Sequence, residues 1–242
     1  MDESAFQKYL NPIFTQAGYV SHHTTKNGTT VEGCATFVSS TKFKTLANID
    51  ISLRDVFKSK KKTFEHYLHQ FFKVKPDIYE ILTQKITTIA QISILKYNNN
   101  PRHLCLVANT HLFYHPDAGY IRLLQVHEIM QKLEQIKSSI LLCNEHEDPD
   151  NALHKYLVSL CADDSSREDE NVEYVNEGLV DNELNGFEKL LSQTDYNEGK
   201  VYEGEIHSDF GGHQDCDFEV SCFFLGDLNS TVNTGAIEYI ER

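Results

Sequence analysis

The stretch HLCLVANTHLFYHPDAGYIRLLQ, residues 103–125, decides the fold because a strand, a polar strand end, a loop and a helix follow one another within it. Its apolar run, 104–108, is short enough for a buried strand. Asn109 and His111 come at the end of that run, and a helix is predicted for 120–137. An amide and an imidazole at the end of a buried strand, beside a loop, are typical of a site built on a rigid sheet.

A second apolar run, Cys222–Leu225, ends in the same way, in the sequence GDLNST. The carboxylate of Asp227 could bind a divalent metal or orient a water, and the amide of Asn229 could hold a phosphate oxygen. The alternative is structural: a Gly-Asp turn in which Asn and Ser cap the next helix. The sequence leaves both interpretations open.

Asn109 and His111 face the same way if their strand continues through Thr110, because side chains alternate along a strand. An amide and an imidazole that converge on one point suit a phosphoryl group, to which they can donate hydrogen bonds. The alternative for a single histidine at a strand end is an ordinary structural hydrogen bond.

The rest of the chain predicts an α/β or α+β layered fold with helices packed on sheet. Asn27-Gly28 is a hairpin signal. Periodicity and turn signals predict helices at 5–17, 152–160, 179–191 and 234–240, and strands at 19–22, 33–38, 43–52, 86–95 and 219–225.

Charge is distributed unevenly along the chain. The net charge is −14, yet residues 144–220 contain 22 acidic and 4 basic side chains, whereas the remainder contains 14 acidic and 18 basic ones. Without the acidic segment the protein is mildly basic, which suits an anionic ligand. The segment itself is expected to be a flexible insertion, much of it disordered or loosely packed.

Several function classes find no support in the sequence. There is no P-loop, GxGxxG, nucleophile elbow or CxxC pair, and no apolar run approaches 18 residues. The six cysteines are predicted to be reduced thiols. The lysines at 58 and 60–62 could contact a nucleic-acid backbone, or could form a solvated surface loop.

The motifs together resemble the endonuclease/exonuclease/phosphatase superfamily. They are LVANTHLFYHPDAGYIRLLQ (106–125), FFLGDLNST (223–231) and EGCATFVSSTKF (32–43). Within that superfamily they look most like the 2′,5′-phosphodiesterase 12 branch, a relative of the CCR4-type deadenylases. The resemblance covers 1–142 and 222–242 and leaves out the acidic segment.

This resemblance implies a four-layer α/β sandwich, in which two packed mixed sheets are flanked by helices. It also implies Mg²⁺-dependent hydrolysis of RNA or oligoadenylate to 5′-AMP. By motif, Asp227 would orient the attacking water and Asn229 would bind the phosphate near the metal. Asn109 and His111 would stabilise the scissile phosphate, and His115 and Pro116 would lie near the substrate base.

The resemblance also implies that part of the catalytic domain lies outside the chain as written. The family's metal-binding Glu precedes a stretch that resembles residues 1–6, and its final Ser-Asp-His motif would follow Arg242. Asp227 could then reach the ion only through water. We expect three segments, namely a first part of the catalytic domain at 1–143, the insertion at 144–220 and a return to the domain at 221–242.

Three further expectations follow. As a chain that lacks those residues, the protein would be weakly active or inactive. Alternatives are a cytoplasmic CCR4-type deadenylase and a non-catalytic binding or regulatory protein. The family resemblance implies a mitochondrial matrix location, whereas a chain that begins at Met1 would stay in the cytosol. Membrane partners are not expected.

Overall fold

Two β-sheets pack face to face in the structure, a computed structural model that describes residues 1–28, 30–60, 69–115, 117–163 and 217–229. The smaller sheet is an antiparallel hairpin of β1 (Tyr19–Thr25) and β2 (Gly33–Ser39). The larger sheet has the order β3 (Phe43–Ser52), β4 (Ile89–Tyr97), β5 (His103–His111) and β6 (Glu219–Asp227). Its first three strands are antiparallel, and β6 runs parallel to β5.

Helices lie before, between and after these strands. The N-terminal helical segment comprises α1 (Glu3–Ala5), a π-helical turn (Phe6–Leu10) and α2 (Asn11–Gln16). After β3 come α3 (Leu53–Ser59), α4 (His69–Val74), α5 (Pro76–Glu80) and a π-helical turn (Ile81–Lys85). After β5 come α6 (Gly119–Leu142), a 3₁₀ turn (Cys143–Glu145) and α7 (Pro149–Asp163).

The N-terminal helical segment covers the outer face of the hairpin and forms the first of four layers. The ring of Phe6 stacks on the ring of His23 with centroids 4.6 Å apart, and the ring centroids of Phe14 and Phe37 are 4.2 Å apart. On the inner face of the hairpin, the Thr36 hydroxyl donates to Oε1 of Gln91 on β4 at 3.1 Å. Side-chain alternation along β1 and β2 thus separates a helix-facing from a sheet-facing set.

The larger sheet buries its opposite face against α6. Ile92, Ile94, Leu104 and Leu106 have no solvent exposure and alternate with the residues that face the hairpin. Ile129 and Ile136 of α6 are equally buried. Burial of such side chains contributes about 1.5–3 kcal/mol each, which makes this interface the main apolar core.

The α/β architecture and the partial four-layer sandwich are therefore confirmed. One detail differs from two mixed sheets, because the described part of the smaller sheet is purely antiparallel. Among the described residues, no helix is long and apolar enough to cross a membrane.

Most element boundaries lie close to the predicted ones, and the differences have local causes. Pro12 does not interrupt the first helix, since it lies in the first turn of α2 directly after the π-helical turn, where no backbone donor is needed. The apolar run 140–143 is not a separate element, because Ile140 continues the buried face of α6. The predicted strand 86–95 begins at Ile89, after the π-helical turn ends with the Ile86 amide on the Ile81 carbonyl.

The acidic segment starts and ends at a shared contact. Asn144 donates from Nδ2 to the Phe218 carbonyl at 3.2 Å and accepts the Phe218 amide at 2.8 Å through Oδ1. The helix predicted for 152–160 is confirmed as part of α7. Residues 164–216 lie outside the described residues, as do the predicted helices at 179–191 and 234–240.

Gly226 permits the close approach of β6 to β5. Its φ is +131°, and a Cβ placed there would lie 1.8 Å from the carbonyl oxygen of Thr110. Only glycine adopts this backbone conformation without strain.

Replacement Gly226→Ala is therefore expected to lower the free energy of unfolding by about 3 kcal/mol, as measured by urea denaturation of the 242-residue chain. Gly119→Ala is the matched control, since a Cβ at Gly119 meets no atom within 4 Å. Equal stability of the two variants would contradict the steric argument.

Candidate active site

The predicted polar strand ends meet at one edge of the larger sheet. Because β5 and β6 are parallel neighbours, His111 lies in register with Asp227. Nε2 of His111 is 3.8 Å from Oδ2 of Asp227, and the two side chains are 35% and 65% exposed. These two residues are 116 positions apart in the sequence, and the pairing of β5 with β6 brings them together.

Asn229 joins this pair through a tight turn. Its backbone amide donates to Oδ1 of Asp227 at 3.0 Å, and its φ is 47°, in the left-handed region. Its Nδ2 donates to the carbonyl of Leu112 at 2.8 Å, while the Leu112 amide donates to the Asp227 carbonyl at 2.9 Å. The turn fixes Asn229 beside the end of β5 and leaves its second Nδ2–H and its Oδ1 for other partners.

The structural interpretation of GDLN, a turn closed by the aspartate, is therefore observed, because Oδ1 of Asp227 accepts the Asn229 amide within the turn. A carboxylate has two oxygens, and only Oδ1 is used in that turn. Oδ2 faces His111. The turn and a chemical role for Asp227 are therefore compatible.

Asn109 is placed on the same face as His111, as predicted, but its amide is engaged between the sheets. Nδ2 lies within hydrogen-bond distance of the Ala35 carbonyl at 3.1 Å, Thr36 Oγ1 at 3.2 Å and Gln91 Oε1 at 3.3 Å. These three acceptors compete for two N–H groups. A role of Asn109 as a phosphate donor stays a prediction, and it requires an exchange of these bonds.

The loop after β5 is held by two buried polar residues of the GYIRLLQ motif. Arg122, 3% exposed, donates from Nη1 to the His115 carbonyl at 2.6 Å and to the Phe113 carbonyl at 3.3 Å. Gln125 is fully buried and accepts the Phe113 amide at 3.0 Å. The loop that contains His115 therefore has a defined backbone. Pro116 lies outside the described residues.

Two charged residues at the site were not singled out by sequence reasoning. Nζ of Lys26 is 3.2 Å from Nδ1 of His111 and 3.2 Å from Oε2 of Glu32. The only signal for them was their position on either side of the hairpin turn, Lys26 before Asn27-Gly28 and Glu32 at the start of EGCATF. Nothing in a single sequence indicates that this hairpin folds over the end of β5.

The electrostatic surroundings favour a neutral His111. Burial lowers the pKa of His111 below its ordinary value of 6.5, and the positive charge of Lys26 lowers it further, whereas Asp227 and Glu32 oppose the shift. The hydrogen bond from Lys26 in turn lowers the pKa of Glu32.

The described residues alone do not form a metal site. No group of three or more His, Cys, Asp or Glu side chains in the described ranges could hold an ion. Asp227 contributes a single carboxylate, and its neighbour His111 is a poor ligand for Mg²⁺, which prefers oxygen. The magnesium prediction accordingly has no further support from this geometry.

The lysine cluster 58–62 is only half described. Lys58 pairs with Asp55 at 3.7 Å, and Lys60 pairs with the buried carboxylate of Glu128 at 2.7 Å. Lys61 and Lys62 lie outside the described residues. For the described lysines, the surface interpretation suffices.

The chain is similar in sequence to several curated proteins. A 2′,5′-phosphodiesterase 12 from Mus musculus is 28% identical over 138 residues, which are 53% of this chain and 22% of that protein. The Homo sapiens protein of the same name is 26% identical over the same length. The CCR4-Not complex 3′-5′-exoribonuclease subunit Ccr4 of Candida albicans is 25% identical over 178 residues, 70% of this chain and 21% of that protein.

The chain thus spans about a fifth of the length of the curated relatives it matches. No protein-family profile matches it. Among solved structures, the human Nocturnin catalytic domain with bound sulfate has a TM-score of 0.42 and 18% identity. The match covers 57% of this chain and 45% of the Nocturnin chain. ANGEL2, a 2′,3′-cyclic phosphatase, has a TM-score of 0.37 and 23% identity, and the match covers 51% of this chain and 28% of that chain. The predicted resemblance to the endonuclease/exonuclease/phosphatase superfamily is confirmed by the curated relatives, namely the 2′,5′-phosphodiesterase 12 proteins and Ccr4.

The charges around His111 predict opposite effects of two substitutions. Lys26→Met removes a positive charge and is expected to raise the pKa of His111, whereas Asp227→Asn removes a negative one and is expected to lower it. Both are measured by NMR titration of the His111 ring. Shifts in the same direction would contradict this electrostatic account.

The same pKa has a consequence for stability. The window of interest lies between the lowered pKa of His111 in the folded chain and its ordinary value of 6.5. In this pH range the unfolded chain binds more protons than the folded chain does. The free energy of unfolding therefore falls as the pH falls through the window. Because Lys26→Met is expected to raise the pKa of His111 in the folded chain, the variant should show a smaller fall of the free energy of unfolding across this pH range.

Proposed function

We propose, from the confirmed resemblance to the endonuclease/exonuclease/phosphatase superfamily, that the protein is a metal-dependent phosphodiesterase. It would act as a 3′-exoribonuclease that hydrolyses 2′,5′-oligoadenylate or poly(A) RNA to 5′-AMP. The single observation that supports this most is the register of β5 and β6, which brings His111 of NTH and Asp227 of GDLN to 3.8 Å. Neither motif alone would be specific.

The roles of the residues follow from their free hydrogen-bonding groups. Oδ2 of Asp227 is an acceptor that can orient and polarise the attacking water. His111, with a neutral ring, and the second Nδ2–H of Asn229 are donors for the non-bridging phosphate oxygens, on which charge develops during hydrolysis. Asn109 would then act chiefly by fixing the face of β5 that carries His111.

A cation belongs to this proposal for an electrostatic reason. Asp227 and a phosphodiester are both negative, and a nearby positive charge offsets the part of their repulsion that solvent does not screen. Lys26 supplies one such charge. Mg²⁺ is proposed by resemblance, with at least one more carboxylate ligand supplied from outside the described residues.

Two other functions remain as alternatives. A CCR4-type deadenylase is favoured by the Candida albicans relative, which matches 70% of this chain. A non-catalytic binding or regulatory protein is the other alternative. A mitochondrial location is part of the proposal by resemblance only, and fluorescence microscopy of the tagged gene product would test it.

Hydrolysis of short adenylates tests the proposed chemistry. Asp227→Asn is expected to lower AMP release by about 10²-fold or more, as is typical for loss of one electrostatic group in a site of this kind. Asp77→Asn, which removes the same charge from the exposed surface of α5, is the matched control. Equal rates for Asp227→Asn and the parent would refute the assignment of Asp227.

Comparison of 2′,5′- and 3′,5′-linked triadenylates in the same assay separates the leading proposal from the deadenylase alternative. Preference for the 2′,5′ linkage supports the former, and preference for the 3′,5′ linkage supports the latter. Binding of both without release of AMP would support the non-catalytic alternative.

Removal of divalent metal is expected to abolish hydrolysis. The 242-residue chain would release AMP slowly with Mg²⁺ and not at all with EDTA, because the ion is proposed to offset the negative charges of Asp227 and the phosphodiester. The measurement is the rate of AMP release against Mg²⁺ concentration. A rate that does not depend on metal would contradict this part of the proposal.

A further inference from the structure

Lys26 is a nearly buried cation to which the proposed chemistry gives only a general electrostatic role. Its side chain is 12% exposed, and its Nζ lies between Oε2 of Glu32 and Nδ1 of His111, at 3.2 Å from each. His111 is 85 positions further along the chain. The contact therefore links the hairpin of the smaller sheet to the strand end of the larger one.

Hydrogen bonds hold the backbone on both sides of the Lys26 side chain and so restrict where its ammonium group can lie. The Lys26 amide donates to the Glu32 carbonyl at 2.8 Å, which closes the hairpin loop. Asn27 anchors the same loop to the larger sheet, with its amide on the Thr87 carbonyl at 3.0 Å and its Nδ2 on Ser52 Oγ at 2.6 Å. Burial of a lysine is unusual unless the ammonium is paired.

The contact with Lys26 determines which nitrogen of His111 holds the proton. A lysine ammonium has three donors and no acceptor, so Nδ1 of His111 must accept. A neutral imidazole has one acceptor and one donor nitrogen, which leaves the proton on Nε2. Nε2 is the atom that faces Oδ2 of Asp227 at 3.8 Å, and the substrate phosphate is proposed to lie beside this pair.

We propose that Lys26, held by Glu32, is a positioning residue that fixes His111 as the Nε2–H tautomer, with its donor directed toward Asp227. This inference rests on the proposed function for the identity of the ligand, a phosphate ester. It does not rest on that function for the tautomer itself, which is a property of the chain alone. Among the described residues, the charged groups that act on His111 are Lys26, Glu32, Asp227 and the amino terminus of Met1.

The tautomer can be observed directly by long-range ¹H–¹⁵N NMR of the 242-residue chain with ¹⁵N-labelled histidine, at a pH above 7. Loss of one signal set in His111→Gln identifies His111 among the 12 histidines. We expect a single Nε2–H form in the parent chain and in Lys26→Arg, because a guanidinium is also only a donor. We expect a mixture of both tautomers in Lys26→Met.

The double variant Lys26→Glu, Glu32→Lys is the decisive arm. It preserves an ion pair and the net charge, but it presents an acceptor to Nδ1, so the proton should move to Nδ1. Lys85→Met, which removes an exposed lysine paired with Glu80 at 2.9 Å, is the matched control and should leave His111 unchanged. An Nδ1–H form in the parent chain, or an Nε2–H form in the double variant, would overturn the proposal.

Binding of 5′-AMP, followed on the same spectra, separates this proposal from the proposed function. If both hold, AMP binds the parent and Lys26→Arg, and the double variant binds it about 10-fold more weakly, since one charge-assisted hydrogen bond is lost. If the tautomer responds as expected while AMP binds none of the proteins, Lys26 is confirmed as the residue that fixes the ring and the proposed function fails.

Discussion

The parallel pairing of β5 with β6 is the constraint on which the site depends. Parallel strands need a long crossover, so two motifs that are distant in sequence can only meet if the intervening chain leaves and returns. Register then decides the rest, because a shift of one residue would turn His111 or Asp227 to the other face. The absence of a side chain at Gly226 allows the backbone of Thr110 to approach closely enough for this register.

The sequence predicted the elements well and the site only in part. Apolar runs and turn residues located β3, β5, β6 and α6, because these signals are local. The same signals gave the polar strand ends, since Asn109, His111, Asp227 and Asn229 directly follow apolar runs. A family resemblance added the expectation that residues of both strand ends act on one phosphate, which periodicity alone could not provide.

The residues that were missed depend on contacts between sheets. Lys26 belongs to a hairpin loop whose fold over β5 is set by packing and not by local sequence. Gln91 is fully buried on β4, and it connects the two sheets through hydrogen bonds with Thr24, Thr36 and Asn109. Arg122 was visible as part of a motif, but its function as a clamp on two carbonyls could be found only from coordinates.

Asn144 and Phe218 lie 74 positions apart and are joined by two hydrogen bonds, one in each direction. This contact fixes the point where the chain leaves the sandwich next to the point where it returns. Since the free-energy cost of closing a loop rises only by about 0.6 kcal/mol for each doubling of its length, the chain between α7 and Phe218 can change in length at little cost. α7 itself is tied to the rest of the protein, because Leu153 is buried and Asp150 pairs with Arg102 at 3.0 Å. Evolution, or an engineer who inserts a reporter domain, can therefore change the length of the chain after α7 without altering how β6 meets β5.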